Sequence, residues 1–470
     1  MLKEEHLNRA GLKEKLELAP IYDRYSWLFS LDTIEGIKGA KIPRKKKRHL
    51  LEFAISFSFQ QQIEQIKSEI TTQETKPSIK WREELIPYRR AQSKIANEGG
   101  LKARHELYDR FMEATERINP LRVEQFNILI KHARELGWED YTQLYDEIRM
   151  LHLASLSSMM ESFLEETKDI YFSLLNDQLR KHNIPPGEAR HCDLVHLLRA
   201  PEFDAHFDAS TLLSSLHSTL LDLGIDLDKQ PGISIDKEDR SLKRGRPFCS
   251  PIKVPGDIRV VISPRGGVQD YRALFHEVGH AEYYSHIRPG LSFAFIFLGD
   301  DSVTEGYAFL LENLVFNRNW LEKHFNSLDL DDFLSFARFQ RIVFLRTFAA
   351  KILYEQKLYR LPDIQEAGEL YSELFTKHVG VKYDERNYLA DVDMGFYSAI
   401  YLRAWIFESQ LRLYLEDKFG EDWFRNPKAG EFLKGLWSKG LEFNVEELAR
   451  QLGYDGLDIK PLMDDILNLT

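Results

Sequence analysis

Residues 271–286 read YRALFHEVGHAEYYSH and set His276, Glu277 and His280 in H-E-x-x-H order. On a helix, side chains four apart lie on one face a turn from each other, so the two imidazoles can offer nitrogens to a single metal ion. Glu277 then stands beside that ion, where a carboxylate can take a proton from a zinc-acidified water. The surroundings predict a helix over 270–287. Asp270 is placed to cap it, Tyr271, Leu274, Phe275 and Val278 recur at helical spacing, and Pro289-Gly290 end it.

Hydrolytic zinc usually has three protein ligands and one open position, so a third ligand has to be found. His286 would serve only if the chain turned back after His280. The position where such chains carry the glycine that breaks the helix is Tyr283 here, and on a continuing helix His286 lies about 120° round the axis from His280. Glu305, in residues 300–316 (DDSVTEGYAFLLENLVF), is better placed. Gly299-Asp300-Asp301 allows a second helix, expected over 302–318, with Glu305 in its first turn facing the histidines. The same residues also spell a capping box, in which Glu305 would bond back to the Ser302 amide. Seven residues on, Glu312 shares the face of Glu305 and is positioned to hold the far nitrogen of a ligating histidine.

With H-E-V-G-H followed by E-G-Y-A-F-L-L-E-N-L, and Glu305 placed 25 residues after His280, the chain resembles the thimet oligopeptidase and oligoendopeptidase F family of gluzincins. More distantly it is similar to angiotensin-converting enzyme and carboxypeptidase Taq. The resemblance covers roughly the C-terminal half. It implies one zinc ion held by His276, His280 and Glu305, with Glu277 as general base. It also implies a recessed site that takes short unfolded peptides, and a sheet edge that pairs with the peptide backbone.

Composition is that of an ordinary soluble globular protein. The chain has 470 residues, 43% hydrophobic and 29% charged, enough for one sizeable core or two lobes. A formal charge of -11 argues against nucleic acid or an anionic membrane as the main partner. No stretch reads as a signal peptide or a membrane span, and a cytoplasmic location is expected. Cys192 and Cys249 are too few for a disulfide framework, and both read as inert buried thiols. Arg44 to Arg48, the one strong basic run, reads as the solvated start of a helix over 49–70, with a loop over 71–78.

The rest is strongly helical. Leu121, Val123, Phe126, Leu129, Ile130, Ala133 and Leu136 run at helical spacing to Gly137. Between 232 and 263 the period shortens to that of strands, at Ile233 to Asp236, Pro247 to Ser250 and Ile258 to Ser263, so a small sheet precedes the zinc helix. The expected architecture is therefore mostly α and two-lobed: an N-terminal helical lobe over 1–205, a catalytic lobe over 206–470, and a deep substrate cleft between them.

Peptide hydrolysis develops an oxyanion on the scissile carbonyl, which phenolic donors stabilise. In residues 391–405, DVDMGFYSAIYLRAW, Tyr397 and Tyr401 lie one helical turn apart. In the resembling family a tyrosine-rich run in this place supplies such donors, which carries the role to these two. Here the run is preceded by Asp-Met-Gly-Phe, where the family usually has a His and a Gly-Gly-Tyr. The expected function is zinc-dependent cleavage of short peptides. A metallocarboxypeptidase or dipeptidase is an alternative, with Arg386 or Arg403 holding the substrate carboxylate. A zinc-containing peptide-binding protein without turnover is another, which the intact base Glu277 disfavours.

Overall fold

The computed structural model describes residues 1–325 and 327–468. Among these residues helices dominate, as the sequence predicts, with one two-stranded and one three-stranded sheet. Among the described residues no helix is long and apolar enough to cross a membrane.

The chain divides into two compact units that interleave in sequence. The first takes Met1–Ala54, Pro201–Ala337 and Arg403–Asp465; the second takes Ile55–Ala200, Arg338–Leu402 and the residues from Ile466. One boundary falls at 200/201, and the others fall within the helices Arg44–Thr75, Leu330–Leu358, Tyr397–Phe419 and Lys460–Asn468. An unbroken helix carries no glycine or proline signal at such a point.

The first unit is built around the helix Val268–His286. Its inner face carries Tyr271, Leu274, Phe275, Val278 and Tyr283, all essentially inaccessible. On one side Phe275 meets Trp320 at 5.3 Å and Tyr271 meets Phe207 at 5.2 Å; on the other Tyr283 stacks with Tyr307 at 5.7 Å. Burial of such aromatics dominates the energetics of a core. The partner helix Asp301–Glu312 is buried at every position from Ser302 to Glu312, which explains its apolar run without periodicity. The two helices come very close at Gly279: a Cβ there would stand 2.6 Å from the Ala308 Cα.

The expected sheet is present, with strands Ile233–Asp236, Phe248–Lys253 and Asp257–Val261. The last lies in the middle, parallel to the first and antiparallel to Phe248–Lys253, which pairs Cys249 with Val260 and forms an edge. The sheet packs against the helix Val268–His286 and carries a short N-terminal helix, Leu2–Arg9, whose His6 ring sits 6.0 Å from that of Phe248.

The second unit holds the helix Leu101–Glu135, which runs through Pro120, a series of shorter helices, and the hairpin Pro77–Trp81 with Glu84–Pro87. The hairpin and the end of the preceding helix correct the expected loop over 71–78. The helix continues to Thr75, and there the Thr72 and Thr75 hydroxyls bond back onto the Ser68 and Thr71 carbonyls, at 2.8 and 3.0 Å. The helix ranges expected over 270–287 and 302–318 shift similarly. The first begins at Val268 with Gly267 as its cap residue, and Asp270 instead accepts from the Arg265 and Gly266 amides at 2.6 and 2.9 Å. The second ends at Glu312 and continues as a tighter turn to Phe316.

Candidate metal centre and active site

Helical spacing puts His276 and His280 on one face of Val268–His286, and their Nε2 atoms stand 3.2 Å apart. Glu305, from the first turns of the neighbouring helix, brings Oε2 to 3.4 Å from His276 Nε2 and 3.7 Å from His280 Nε2. The capping-box alternative for Glu305 is not what forms: Asp300 caps that helix by accepting from the Ser302 amide at 3.1 Å. A tetrahedral zinc ion with bonds of roughly 2.0–2.2 Å needs its ligand atoms about 3.4 Å apart. The three edges of this triangle bracket that value, so the donor set fits a zinc ion by type and by spacing.

Each histidine is oriented by its other nitrogen. His276 Nδ1 donates to Glu312 Oε2 at 2.9 Å, and His280 Nδ1 bonds the Thr304 hydroxyl at 2.7 Å. A carboxylate can only accept, so Nδ1 of His276 carries the proton and Nε2 faces the site. Glu312 is itself held by Arg272, through Nε at 2.9 Å and Nη2 at 2.6 Å. Burial disfavours its charge, yet Arg272 and His276 outweigh that and bring its pKa down to about 2.

The two histidines titrate in opposite directions. Burial opposes a charge on His276, but Glu305 and Glu312 override it and raise the pKa to about 10. His280 is lowered to about 4 by burial, with Glu305 pulling back and the charge on His276 pushing further down. Two imidazoles 3.2 Å apart beside the same carboxylate share a single positive charge. A cation at this point meets carboxylates already arranged for one.

Glu277 faces the same region from the next helical position. Its Oε2 accepts from the Cys249 amide at 2.7 Å, an amide from the edge strand. Oε1 accepts no hydrogen bond from the described residues. Burial is the main cause of its raised pKa, with His276 and the Cys249 amide opposing. A carboxylate made harder to ionise is a stronger proton acceptor once ionised.

His286 stays out of this group. Its Nδ1 lies 2.9 Å from the Glu282 carbonyl oxygen and its ring packs against Trp437 at 5.4 Å. Of the arginines considered for a substrate carboxylate, Arg386 is paired with Asp384 in the second unit, at 2.6 and 2.8 Å. Arg403 is 1% exposed and bound to Asp300 at 2.8 Å and to Glu446. Tyr397 and Tyr401 fall in the second unit, with rings 5.1 Å apart. Cys192 is buried, and burial raises the pKa of both thiols.

Two further groups of possible ligands occur among the described residues, His105 with Cys192 and Asp193, and His217 with Asp226 and Asp228. In the first, Arg104 Nε sits 2.7 Å from Asp193 and already supplies the cation. In the second, Asp226 is paired with Lys229 at 2.9 Å.

Sequence reading missed Arg272, Thr304 and the Cys249 amide. Arg272 had a signal, since it lies four residues before His276 and continues the same helical face. The Cys249 amide had none, because a backbone donor reaches Glu277 only through the pairing of strands.

No protein-family model and no curated protein matches this sequence. Solved structures do match. A Bacillus anthracis str. Ames protein assigned as an oligoendopeptidase F aligns over 99% of this chain and 80% of its own, with a TM-score of 0.63 and 15% identity. Trypanosoma cruzi metallocarboxypeptidase 1 aligns over 99% and 95%, with a TM-score of 0.60 and 14% identity. A Chlamydophila abortus protein assigned as a peptidase aligns over 96% and 77%, with a TM-score of 0.63 and 14% identity. These likenesses establish a shared fold, mostly helical with small sheets.

Proposed function

We propose that this protein is a zinc peptidase that cleaves short peptides, with one ion held by His276, His280 and Glu305 and with Glu277 as general base. The triangle of Nε2, Nε2 and Oε2 at 3.2, 3.4 and 3.7 Å is the observation that carries this reading. A zinc ion there supplies a Lewis acid and an acidified water. Glu277 Oε1 takes a proton from the attacking water and delivers it to the leaving amine, while the Cys249 amide fixes the orientation of the carboxylate. Glu312 and Thr304 hold the imidazoles with Nε2 toward the site. Tyr397 and Tyr401 are proposed, on their chemistry, as the phenolic donors to the oxyanion.

An endopeptidase reading is favoured over a carboxypeptidase one. A carboxypeptidase needs a spare cation for the terminal carboxylate, and Arg386 and Arg403 are both committed to carboxylates of the protein itself. The Bacillus anthracis and Trypanosoma cruzi structures, assigned as an oligoendopeptidase F and a metallocarboxypeptidase, bracket these two choices.

The deciding experiment is digestion of a mixed short-peptide library by the zinc-loaded protein beside Glu277→Gln, read by mass spectrometry. Internal cuts made only by the unmodified protein are expected. Cuts confined to the C-terminal residue select the carboxypeptidase. No cuts by either protein, with zinc bound, reject catalysis. In the same assay Tyr397→Phe and Tyr401→Phe are expected to lower kcat more than they raise KM, because an oxyanion donor acts mainly in the transition state.

A further inference from the structure

The second unit contains a cavity of about 330 Å³ that the proposed chemistry does not use. Arg346 stands on its wall and is 1% exposed. Its Nε donates to the His378 carbonyl at 2.8 Å, and Nη1 donates to the Leu164 carbonyl and the Thr167 hydroxyl at 2.7 and 2.8 Å. Those carbonyls belong to the last turns of Ala367–Val379 and Leu153–Glu166, so the guanidinium closes two helix C-termini. This structural duty occupies three of its five N–H groups at most. Nη2 hydrogen-bonds to none of the described residues, and no carboxylate pairs with the guanidinium. Burial without such a partner holds its pKa down to about 10, with only Tyr171 and Glu165 pulling it back.

The charges around the opening point the same way. Lys168, Lys357 and Lys377 line the cavity, and none is ion-paired among the described residues. Glu161 and Glu165 also line it, so with Arg346 four cations face two carboxylates. His378 adds nothing, because burial lowers its pKa to about 4. An excess of positive charge here contrasts with a chain whose formal charge is -11. The remaining wall is apolar, from Leu164, Phe172, Leu353 and Leu374. Ligand pockets commonly combine mostly apolar walls with a few placed polar groups, in volumes of roughly 300–1,000 Å³.

We infer that this cavity binds a small organic anion, with a carboxylate head on Arg346 Nη2 beneath the three lysines and an aliphatic or aromatic body against the apolar wall. The site is independent of the peptidase reading. One free guanidinium nitrogen suits one carboxylate oxygen, and the leucine and phenylalanine side chains have no use for inorganic phosphate, which would need donors on all sides.

The test is calorimetric titration of the full zinc-loaded chain at neutral pH with hexanoate, hexanamide and inorganic phosphate. Hexanoate is expected to saturate one site. Hexanamide, equal in length and uncharged, and phosphate, charged but without a tail, are each expected to bind at least about tenfold more weakly. The double variant Lys357→Glu/Lys377→Glu changes only exposed side chains. It is expected to melt like the parent and to lose about tenfold in hexanoate affinity through charge reversal. Arg346→Lys, compared by thermal melting first because Arg346 also closes two helices, is expected to abolish saturation. Absence of saturable hexanoate binding at millimolar concentration overturns the inference. So does equal affinity for hexanamide or for phosphate, or unchanged hexanoate affinity in the lysine double variant.

Discussion

Glu312 Oε2 accepts from His276 Nδ1 at 2.9 Å, across two helices whose backbones nearly touch, so one carboxylate fixes both the tautomer and the aim of the His276 imidazole. Arg272 neutralises the buried charge of Glu312, and that is what lets it stay ionised. Glu312→Gln keeps the shape and an acceptor but removes the charge. It is expected to weaken zinc binding by about 10–100-fold, the usual effect of an outer partner of a ligating histidine. Competition with a chromophoric chelator measures this, and an unchanged affinity shows that Glu312 has no part in holding the metal.

Glu305→Ala removes a donor atom instead of an orienting one. Its loss of zinc affinity is expected to exceed the roughly 100-fold ceiling for an outer partner. His286→Ala is expected to leave zinc affinity unchanged, since His286 Nδ1 is directed at the Glu282 carbonyl. Measured side by side by metal analysis after dialysis, the reverse ranking rejects the Glu305 ligand set.

The grouping of His276, His280 and Glu305 was legible because its information is local. Four-residue spacing placed His276 and His280, and seven-residue spacing placed Glu305 and Glu312 on one face of the next helix. The small sheet was legible from its change of period, to within a few residues at each strand. The orientation of Glu277 was not, because its partner is a main-chain amide of residue 249 and backbone donors leave no mark in a sequence. Nor was the interleaving of the two units, because residues 54/55, 337/338, 402/403 and 465/466 lie inside unbroken helices. The hairpin at Pro77–Trp81 and Glu84–Pro87 was read as loop and helix surroundings, since the prolines at its two outer ends, Pro77 and Pro87, signal a loop.

Gly279, the fourth residue of H-E-V-G-H, is fixed by packing. A Cβ there would meet the Ala308 Cα at 2.6 Å and the Tyr307 carbonyl oxygen at 3.1 Å, and backbone cannot swing aside as a side chain does. Gly279→Ala is therefore expected to cost at least about 1–3 kcal/mol in unfolding free energy, as overpacking does. It should also lower zinc affinity, because the helices that carry the three ligands must move apart. Gly435→Ala is the contrasting control. Gly435 lies in the helix Pro427–Trp437 with nothing within 4 Å of its Cβ position, and gains about 0.5–1 kcal/mol from helix propensity. Urea denaturation of both variants checks the pair, and a neutral Gly279→Ala rejects the close-contact argument.

Glu282 lies on the helix Val268–His286 but faces inward, fully buried, with Oε2 accepting from Gln230 Nε2 at 2.9 Å and Oε1 without a hydrogen-bond partner among the described residues. Burial raises its pKa from 4.5 to about 7, with Gln230 and Lys434 opposing. His286, 3.4 Å from Oε2, gives no ion pair, because burial holds its own pKa below the ordinary value. A carboxyl whose folded pKa is raised contributes stability that is fully present below its unfolded pKa and is lost as pH rises through the folded one. The loss from Glu282 therefore falls between about pH 4.5 and 7 and is on the order of 3 kcal/mol. Glu282→Gln has no proton to lose. Relative to the parent it should become progressively more stable from pH 5 to pH 8, whatever the offset between them at pH 5. Urea unfolding of both zinc-loaded proteins across that range reads the difference directly, and parallel pH profiles would show that Glu282 is ionised throughout and that its burial is compensated by groups other than Gln230.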